Sequence, residues 1–162
     1  MPQKGLPTVT AIIVAAGASR RMGFDKLNYC LPDGRTVLET SCALFAAHPA
    51  VDELVLVAGG NRPQCEAIAA ACPKPCTVVQ GGATRADSVH NGLAAAKGQL
   101  VAIHDAARPF ASEEVITQVL QAAAKTGAAA PAVPVKESFK EAAQGGTVVA
   151  APERAALCAV LP

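Results

Sequence analysis

At 162 residues, 51% of them apolar and with a net charge of +1, the chain can bury one core and is too apolar to be disordered. That charge balance excludes a broad nucleic-acid or membrane surface, so a charged site has to be local. Aromatic residues are only 3%, so the core is expected to be Val, Ile, Leu and Ala, with helices packed closely on a sheet.

The opening stretch "MPQKGLPTVT" lacks signal-peptide architecture, and no apolar run is long enough to span a bilayer. A cytoplasmic protein is expected. "VTAIIVAA" is a continuous β-branched run, the pattern of a strand buried on both faces. The small-residue loop "AAGASRRMG" follows it directly. "DKLNYCLPDGR" holds a Pro-Asp-Gly turn signal, and "TVLETSCALFAAH" has helical spacing at Val37, Leu38, Cys42, Leu44 and Phe45. "ELVLVAG" reads as a second strand, "RPQCEAIAAAC" as a helix with proline in its first turn, and "CTVVQGG" as a third strand ending in two glycines.

"TRADSVHNGLAAAKG" predicts a helix capped by Thr84 and closed at Gly98. "QLVAIHDAARPF" is a fourth strand running into polar residues. "SEEVITQVLQAAAKTG" predicts a helix with Ser112 as cap, acids in its first turn, and Lys125 and Gly127 at its end. "AAAPAVPV" is a fifth, proline-marked strand. Residues 136–153 read as a hairpin-like excursion around Gly145-Gly146, followed by a partial return to the core. The cysteines, Cys30, Cys42, Cys65, Cys72, Cys76 and Cys158, form no CxxC pair. "CPKPC" is a weak metal or disulfide candidate, and the plainer reading is reduced thiols in or near the core.

Strand-helix alternation predicts a parallel sheet with helices on both faces. Ligands in such folds bind beyond the carboxyl ends of the strands. Three of those ends carry "AAGASRRMG" and then Lys26, "GGATRADS", and "HDAARP". Together they offer small residues for close backbone approach, several cations and the carboxylate of Asp105. That inventory suits a nucleoside triphosphate with a divalent metal. No Walker A sequence and no G-x-G-x-x-G is present. Residue chemistry leaves two readings open: nucleotidyl or phosphoryl transfer, or a dinucleotide-binding fold with an unusual loop. His104 precedes Asp105, and alternation turns it to the opposite side of the strand, which predicts a structural role.

"AAGASRRMG…DK", "GGATRADSV" and "VAIHDAARPF", in this order, resemble the 2-C-methyl-D-erythritol 4-phosphate cytidylyltransferases of the nonmevalonate isoprenoid pathway, along nearly the whole chain. The first motif is shared by many nucleotidyltransferases; the other two are more specific. The resemblance implies an α/β, Rossmann-like, mostly parallel sheet of nucleotidyltransferase type, plus a β-arm near 136–153. It implies a soluble enzyme that uses Mg2+ and joins CTP to a polyol phosphate, releasing pyrophosphate. It also implies a homodimer through the arm.

By the same resemblance, Ala15, Ala16, Gly17 and Ser19 wrap the nucleotide, and Arg21 and Lys26 stabilise the transition state, with Arg20 left to solvent. Gly82 and Ser88 would read the cytosine, partly through backbone, while Arg85 and Asp87 either join them or fix the loop by pairing and capping. Asp105 would bind the metal, Ala106 would lie beside the ribose, and Arg108 would lie on the substrate side. Ser138 would keep a hydroxyl for hydrogen bonding to the methylerythritol phosphate, and Arg154 would grip its phosphate. Ser19 stands where the family usually has glycine, Asp25-Lys26-Leu27 where Pro-Lys-Gln is common, and Glu137-Ser138 where threonine usually follows aspartate. The family continues past Leu161-Pro162 with a strand, a helix and a lysine for the substrate phosphate. Residues 1–162 are thus read as a single nucleotidyltransferase domain lacking that segment, with weak or absent turnover expected. A ribitol 5-phosphate cytidylyltransferase and a non-catalytic nucleotide-binding fragment are the alternatives.

Overall fold

The computed structural model describes residues 7–17 and 25–160. The chain divides into two compact units, Met1–Ala128 and Ala129–Pro162.

The first unit is built on four strands: β1 (Val9–Ala15), β2 (Glu53–Ala58), β3 (Cys76–Gln80) and β4 (Leu100–Asp105). They lie in the order β3-β2-β1-β4, and every pairing is parallel. Four helices connect or follow them: α1 (Val37–Ala47), α2 (Arg62–Ala71), α3 (Arg85–Ala95) and α4 (Glu113–Thr126). Strand alternation sorts the core into two faces. Ala11, Ile13, Leu54 and Leu56 pack with Leu38, Cys42 and Phe45 of α1, Cys65 of α2, and Ile116 and Leu120 of α4. Ile12, Val55 and Val57 form the other face, with Ala95 of α3 packed against them. Each buried Ile, Leu or Val contributes about 1.5–3 kcal/mol on this accounting. The predicted sheet with helices on both faces is therefore present.

Close packing of helix on sheet follows from small residues. Gly92 of α3 faces β1 and β2, and a Cβ there would lie 2.7 Å from Ile12 Cγ2 and 3.0 Å from Val57 Cγ2. Local signals set the helix ends. Thr36 and Glu39 form a capping box on α1, as do Thr84 and Asp87 on α3. Ser112 caps α4, which ends on Gly127 in the left-handed region (φ 89°).

One end differs from expectation. α3 stops at Ala95, with Ala96 as its C-cap, so Gly98 is not the cap. It sits where the chain crosses the start of β1: a Cβ at Gly98 would be 2.5 Å from Thr10 N. Close backbone approach, rather than helix termination, accounts for that glycine.

In the second unit, β5 (Ala132–Pro134) pairs antiparallel with β8 (Cys158–Val160). Both are exposed along their length. The proline-marked strand is thus real but short. The residues expected to return toward the core, Cys158–Val160, are the partner of this strand. Between them, β6 (Glu141–Ala142) and β7 (Val148–Ala150) form the predicted hairpin. Its turn carries Gly145 and Gly146, and Gly146 N donates to Ala143 O at 3.0 Å. No described helix is long and apolar enough to cross a membrane.

Candidate active site

Strand order places the site. β1 connects through α1 to β2 on one side, whereas β4 lies on the other side of β1, reached through α3 on the opposite face. The order reverses between β1 and β4, the position where open α/β sheets bind ligands. There the register sets Val14 opposite Asp105. The loop Ala15–Gly17 and the Asp105 carboxylate therefore leave the sheet side by side.

Backbone hydrogen bonds hold this edge. Ala106 N donates to Val14 O at 3.1 Å, extending the β4–β1 ladder past Asp105. Ala106 O accepts from Ser41 Oγ of α1 at 2.7 Å, and both residues are buried. Both polar groups of the Ala106 backbone are thus paired, which fixes the turn after β4. The β3 end approaches the same loop. Gly81 N donates to Ala58 O at 2.8 Å. A Cβ on Gly81 would fall 2.4 Å from Ala16 Cβ, so only glycine allows β3 to close on the first loop. Ala15 is buried, Ala16 half-buried and Gly17 exposed, so the loop emerges into solvent over three residues.

The residues expected to face cytosine are internally committed. The Ser88 hydroxyl accepts from Gly82 N at 3.1 Å and donates to Thr84 O at 3.0 Å, and Ser88 is 3% exposed. Its side chain therefore fixes the loop. Gly82 N–H is thus used, whereas the Gly82 carbonyl accepts no backbone hydrogen bond found among the described residues. Asp87 caps the helix, as one of its two expected roles requires: its Oδ2 accepts from Thr84 N at 3.0 Å and from Thr84 Oγ1 at 2.8 Å.

Arg85, the first residue of α3, does the pairing. Its Nε and Nη2 donate to Asp105 Oδ1 at 3.1 and 2.8 Å. Arg108 Nε stands 3.9 Å from Oδ2 of the same carboxylate. His104 is turned the other way, as alternation requires. Its ring lies 4.7 Å from that of Phe45, and its Nε2 meets Arg108 O at 2.9 Å. Burial holds its pKa below the ordinary histidine value.

Lys26 is half-buried and opens a 3-10 turn, Lys26–Asn28. Asp25 caps that turn, with Oδ1 accepting from Leu27 N at 3.0 Å and Oδ2 from Asn28 Nδ2 at 2.7 Å. Leu27 drops into the core. This pair explains the two departures flanking Lys26: one carboxylate caps, one leucine anchors. Ser19, Arg20 and Arg21 lie outside the described residues. Ser138 and Arg154 belong to the second unit, where both are exposed and Arg154 opens a second 3-10 turn, Arg154–Ala156. All six cysteines are free thiols; Cys42 and Cys65 are buried, and Cys30 and Cys158 exposed.

Sequence reading passed over Ser41 and Gly81. A serine inside an apolar helical stripe was the available signal for the first. The second was visible as one of two glycines closing a strand.

A parallel sheet of this order, with a small-residue loop and a carboxylate at its switch point, defines an α/β fold of nucleotidyltransferase type. The profile of the IspD family, 2-C-methyl-D-erythritol 4-phosphate cytidylyltransferase, matches residues 9–162. The chain belongs to that family. It is 43% identical over 155 residues to the 2-C-methyl-D-erythritol 4-phosphate cytidylyltransferase of Symbiobacterium thermophilum, covering 94% of this chain and 65% of the relative. It is 45% identical over 141 residues to a bifunctional enzyme IspD/IspF of Anaeromyxobacter dehalogenans, covering 86% of this chain and 36% of that one. The crystal structure of 4-diphosphocytidyl-2C-methyl-D-erythritol synthase from Anaerococcus prevotii superposes with a TM-score of 0.83 at 29% identity, over 96% of this chain and 68% of that chain. The chain thus spans just under two thirds of the first of these relatives and about a third of the second.

Proposed function

We propose that the protein transfers CMP from CTP to 2-C-methyl-D-erythritol 4-phosphate and releases pyrophosphate. The observation that carries this reading is the Val14–Asp105 register at the switch point, in a chain of this family. A phosphate oxygen of the acceptor attacks the α-phosphorus of CTP. One P–O bond forms, the α–β bridging P–O bond breaks, and the electron pair leaves on pyrophosphate. No side chain need form a covalent bond to the nucleotide, so the work is positioning and charge stabilisation.

In this reading the backbone of Ala15–Gly17, with Ser19, wraps the triphosphate, and Arg21 and Lys26 neutralise charge growing on it. The Gly82 carbonyl accepts from the amino group of cytosine, which uracil lacks. Ala106 lies against the ribose. Arg108, Ser138 and Arg154 serve the acceptor, and the arm at 136–153 joins two subunits, the protein working in the cytoplasm.

A divalent cation fits Asp105. Its carboxylate offers one oxygen, Oδ2, with no hydrogen bond among the described residues, and its side chain is 28% exposed. No group of three His, Cys, Asp or Glu suited to a metal occurs among the described residues. The protein would therefore supply one carboxylate and the phosphates the remaining oxygens, the usual pattern for Mg2+. Bound there, Mg2+ would offset phosphate charge during displacement.

The test is pyrophosphate release with Mg2+, each of the four ribonucleoside triphosphates, and either methylerythritol phosphate or ribitol 5-phosphate. Release with CTP and methylerythritol phosphate alone is expected. Lys26→Ala and Arg21→Ala should each slow it by about 10²–10³-fold. Preference for another base or acceptor, or no CTP binding by calorimetry, would refute the assignment.

A further inference from the structure

The ion pair between Arg85 and Asp105 has an asymmetry that a simple brace does not need. Both donors of Arg85 go to one oxygen, Oδ1, and Oδ2 is left open. The arginine side chain is 61% exposed, against 28% for Asp105, and Asp105 is its one ion-pair partner among the described residues. The two backbones are fixed independently. Arg85 lies within the Thr84–Asp87 capping box at the start of a helix packed on β1 and β2. Asp105 sits next to Ala106, whose N–H and C=O are both paired. What can move is the long arginine side chain. The pair ties the start of α3 to the end of β4 across the carboxyl end of β1, where Ala15–Gly17 emerges.

We propose that Arg85 is a positioning residue that acts as an exchange latch on Asp105. Without ligand, its guanidinium neutralises the carboxylate. When a nucleoside triphosphate arrives with a divalent cation, Asp105 passes to the cation and Arg85 to the phosphate oxygens. This rests on the reading of Asp105 as the cation's carboxylate.

Two competitions follow. Arg85 opposes a cation that arrives alone, and Asp105 opposes a metal-free nucleotide. Cation and nucleotide together satisfy both groups, so each strengthens binding of the other. The pair is partly exposed, which makes it cheap to break and sets a modest scale of roughly two- to fivefold for each competition.

The test uses the full chain with Mn2+ as a paramagnetic probe. Mn2+ alone is titrated by electron paramagnetic resonance, and CTP in EDTA by calorimetry. Arg85→Gln is expected to bind Mn2+ alone roughly two- to fivefold more tightly, and metal-free CTP more weakly by a similar factor. A brace that merely orients Asp105 predicts no such opposite pair of changes. Arg108→Gln removes the same charge from a position without a hydrogen bond to Asp105, so its effect on Mn2+ should be smaller. Circular dichroism and thermal midpoints check that the variants fold, and Arg85→Lys, which keeps the charge, should fall between.

Mn2+ affinity that fails to tighten in Arg85→Gln overturns the latch, including affinity too weak to measure in both proteins. An equal effect from Arg108→Gln overturns it too. Asp105→Asn separates the two levels. If that variant loses Mn2+·CTP binding while Arg85→Gln changes nothing, only the latch fails. If Asp105→Asn binds Mn2+·CTP like the parent, the assignment of Asp105 itself is wrong.

Discussion

Ser41→Ala tests whether α1 holds the turn that carries Asp105. The Ser41 hydroxyl is fully buried and donates to Ala106 O at 2.7 Å, a contact between residues 65 apart in the chain. Truncation leaves a buried carbonyl without its donor, at a cost of about 1–3 kcal/mol. Alanine's better helix propensity returns about 0.5 kcal/mol, so the net loss should be about 0.5–2.5 kcal/mol. With a urea m-value of about 2 kcal/mol/M, the unfolding midpoint should fall by about 0.3–1.2 M. The loss should also be local. Ala106 N–H, bonded to Val14 O, should exchange with deuterium faster in the variant than amides in the middle of β1 and β2. Thr40→Ala is the control, because Thr40 Oγ1 only bonds back to Thr36 O within its own helix at 2.9 Å, and its effect should stay within about 0.5 kcal/mol. A Ser41→Ala midpoint indistinguishable from the Thr40→Ala midpoint, with Ala106 exchange unchanged, would refute the reasoning.

Gly81→Ala forces a Cβ to 2.4 Å from Ala16 Cβ, so strand or loop must shift; overpacking of about 1–3 kcal/mol and weaker CTP binding are expected in melting and calorimetry. Unchanged values for both would show that the approach of β3 to the first loop is not tight. His104 has its folded pKa depressed, first by burial. The unfolded chain therefore takes up its proton first, and the stability held above about pH 6.5 is lost as pH falls through that value toward the folded pKa. The urea midpoint should fall more steeply from about pH 7.5 to 5.5 in the parent than in His104→Gln, and equal slopes would contradict this. Burial pushes the thiols of Cys65 and Cys76 up to about 11 and about 12, and raises Cys42 as well. Iodoacetamide at about pH 8 should therefore label Cys30 and Cys158 first by mass spectrometry and reach Cys42 only after unfolding.

The central strands were legible because burial on both faces leaves a one-dimensional signature: "AIIV" and "LVLVA" have no polar side to hide. The caps were legible because a hydroxyl bonding three residues ahead is a local event, as at Thr84 and Ser112. Alternation alone turned His104 away from Asp105. What was not legible shares a cause, contacts between residues far apart in the chain. Gly98 resembled a helix end, but the need for glycine came from Thr10, 88 residues away. Ala132–Pro134 read correctly as a strand, but its partner, Cys158–Val160, could not be inferred from a pattern of three exposed residues.

The same distinction runs through the site. Which residues carry charge was plain from "TRADS" and "HDAARP", but how the charges pair depended on strand order. Had β4 added beyond β3 rather than beside β1, Asp105 would not face Val14, and the identical loops would not share a site. The order 3-2-1-4 is what converts four separate strand ends into one edge. It also explains why the loops at this edge are built mostly from small residues. At a switch point the loops approach within contact of each other, and Ala16, Gly81 and Ala106 are what fit there. Long cations can then only enter from the rim, as Arg85 and Arg108 do toward Asp105. A bulky residue at Gly81 and a missing hydroxyl at Ser41 should therefore both act on nucleotide binding without touching the ligand, by moving the frame from which those cations reach.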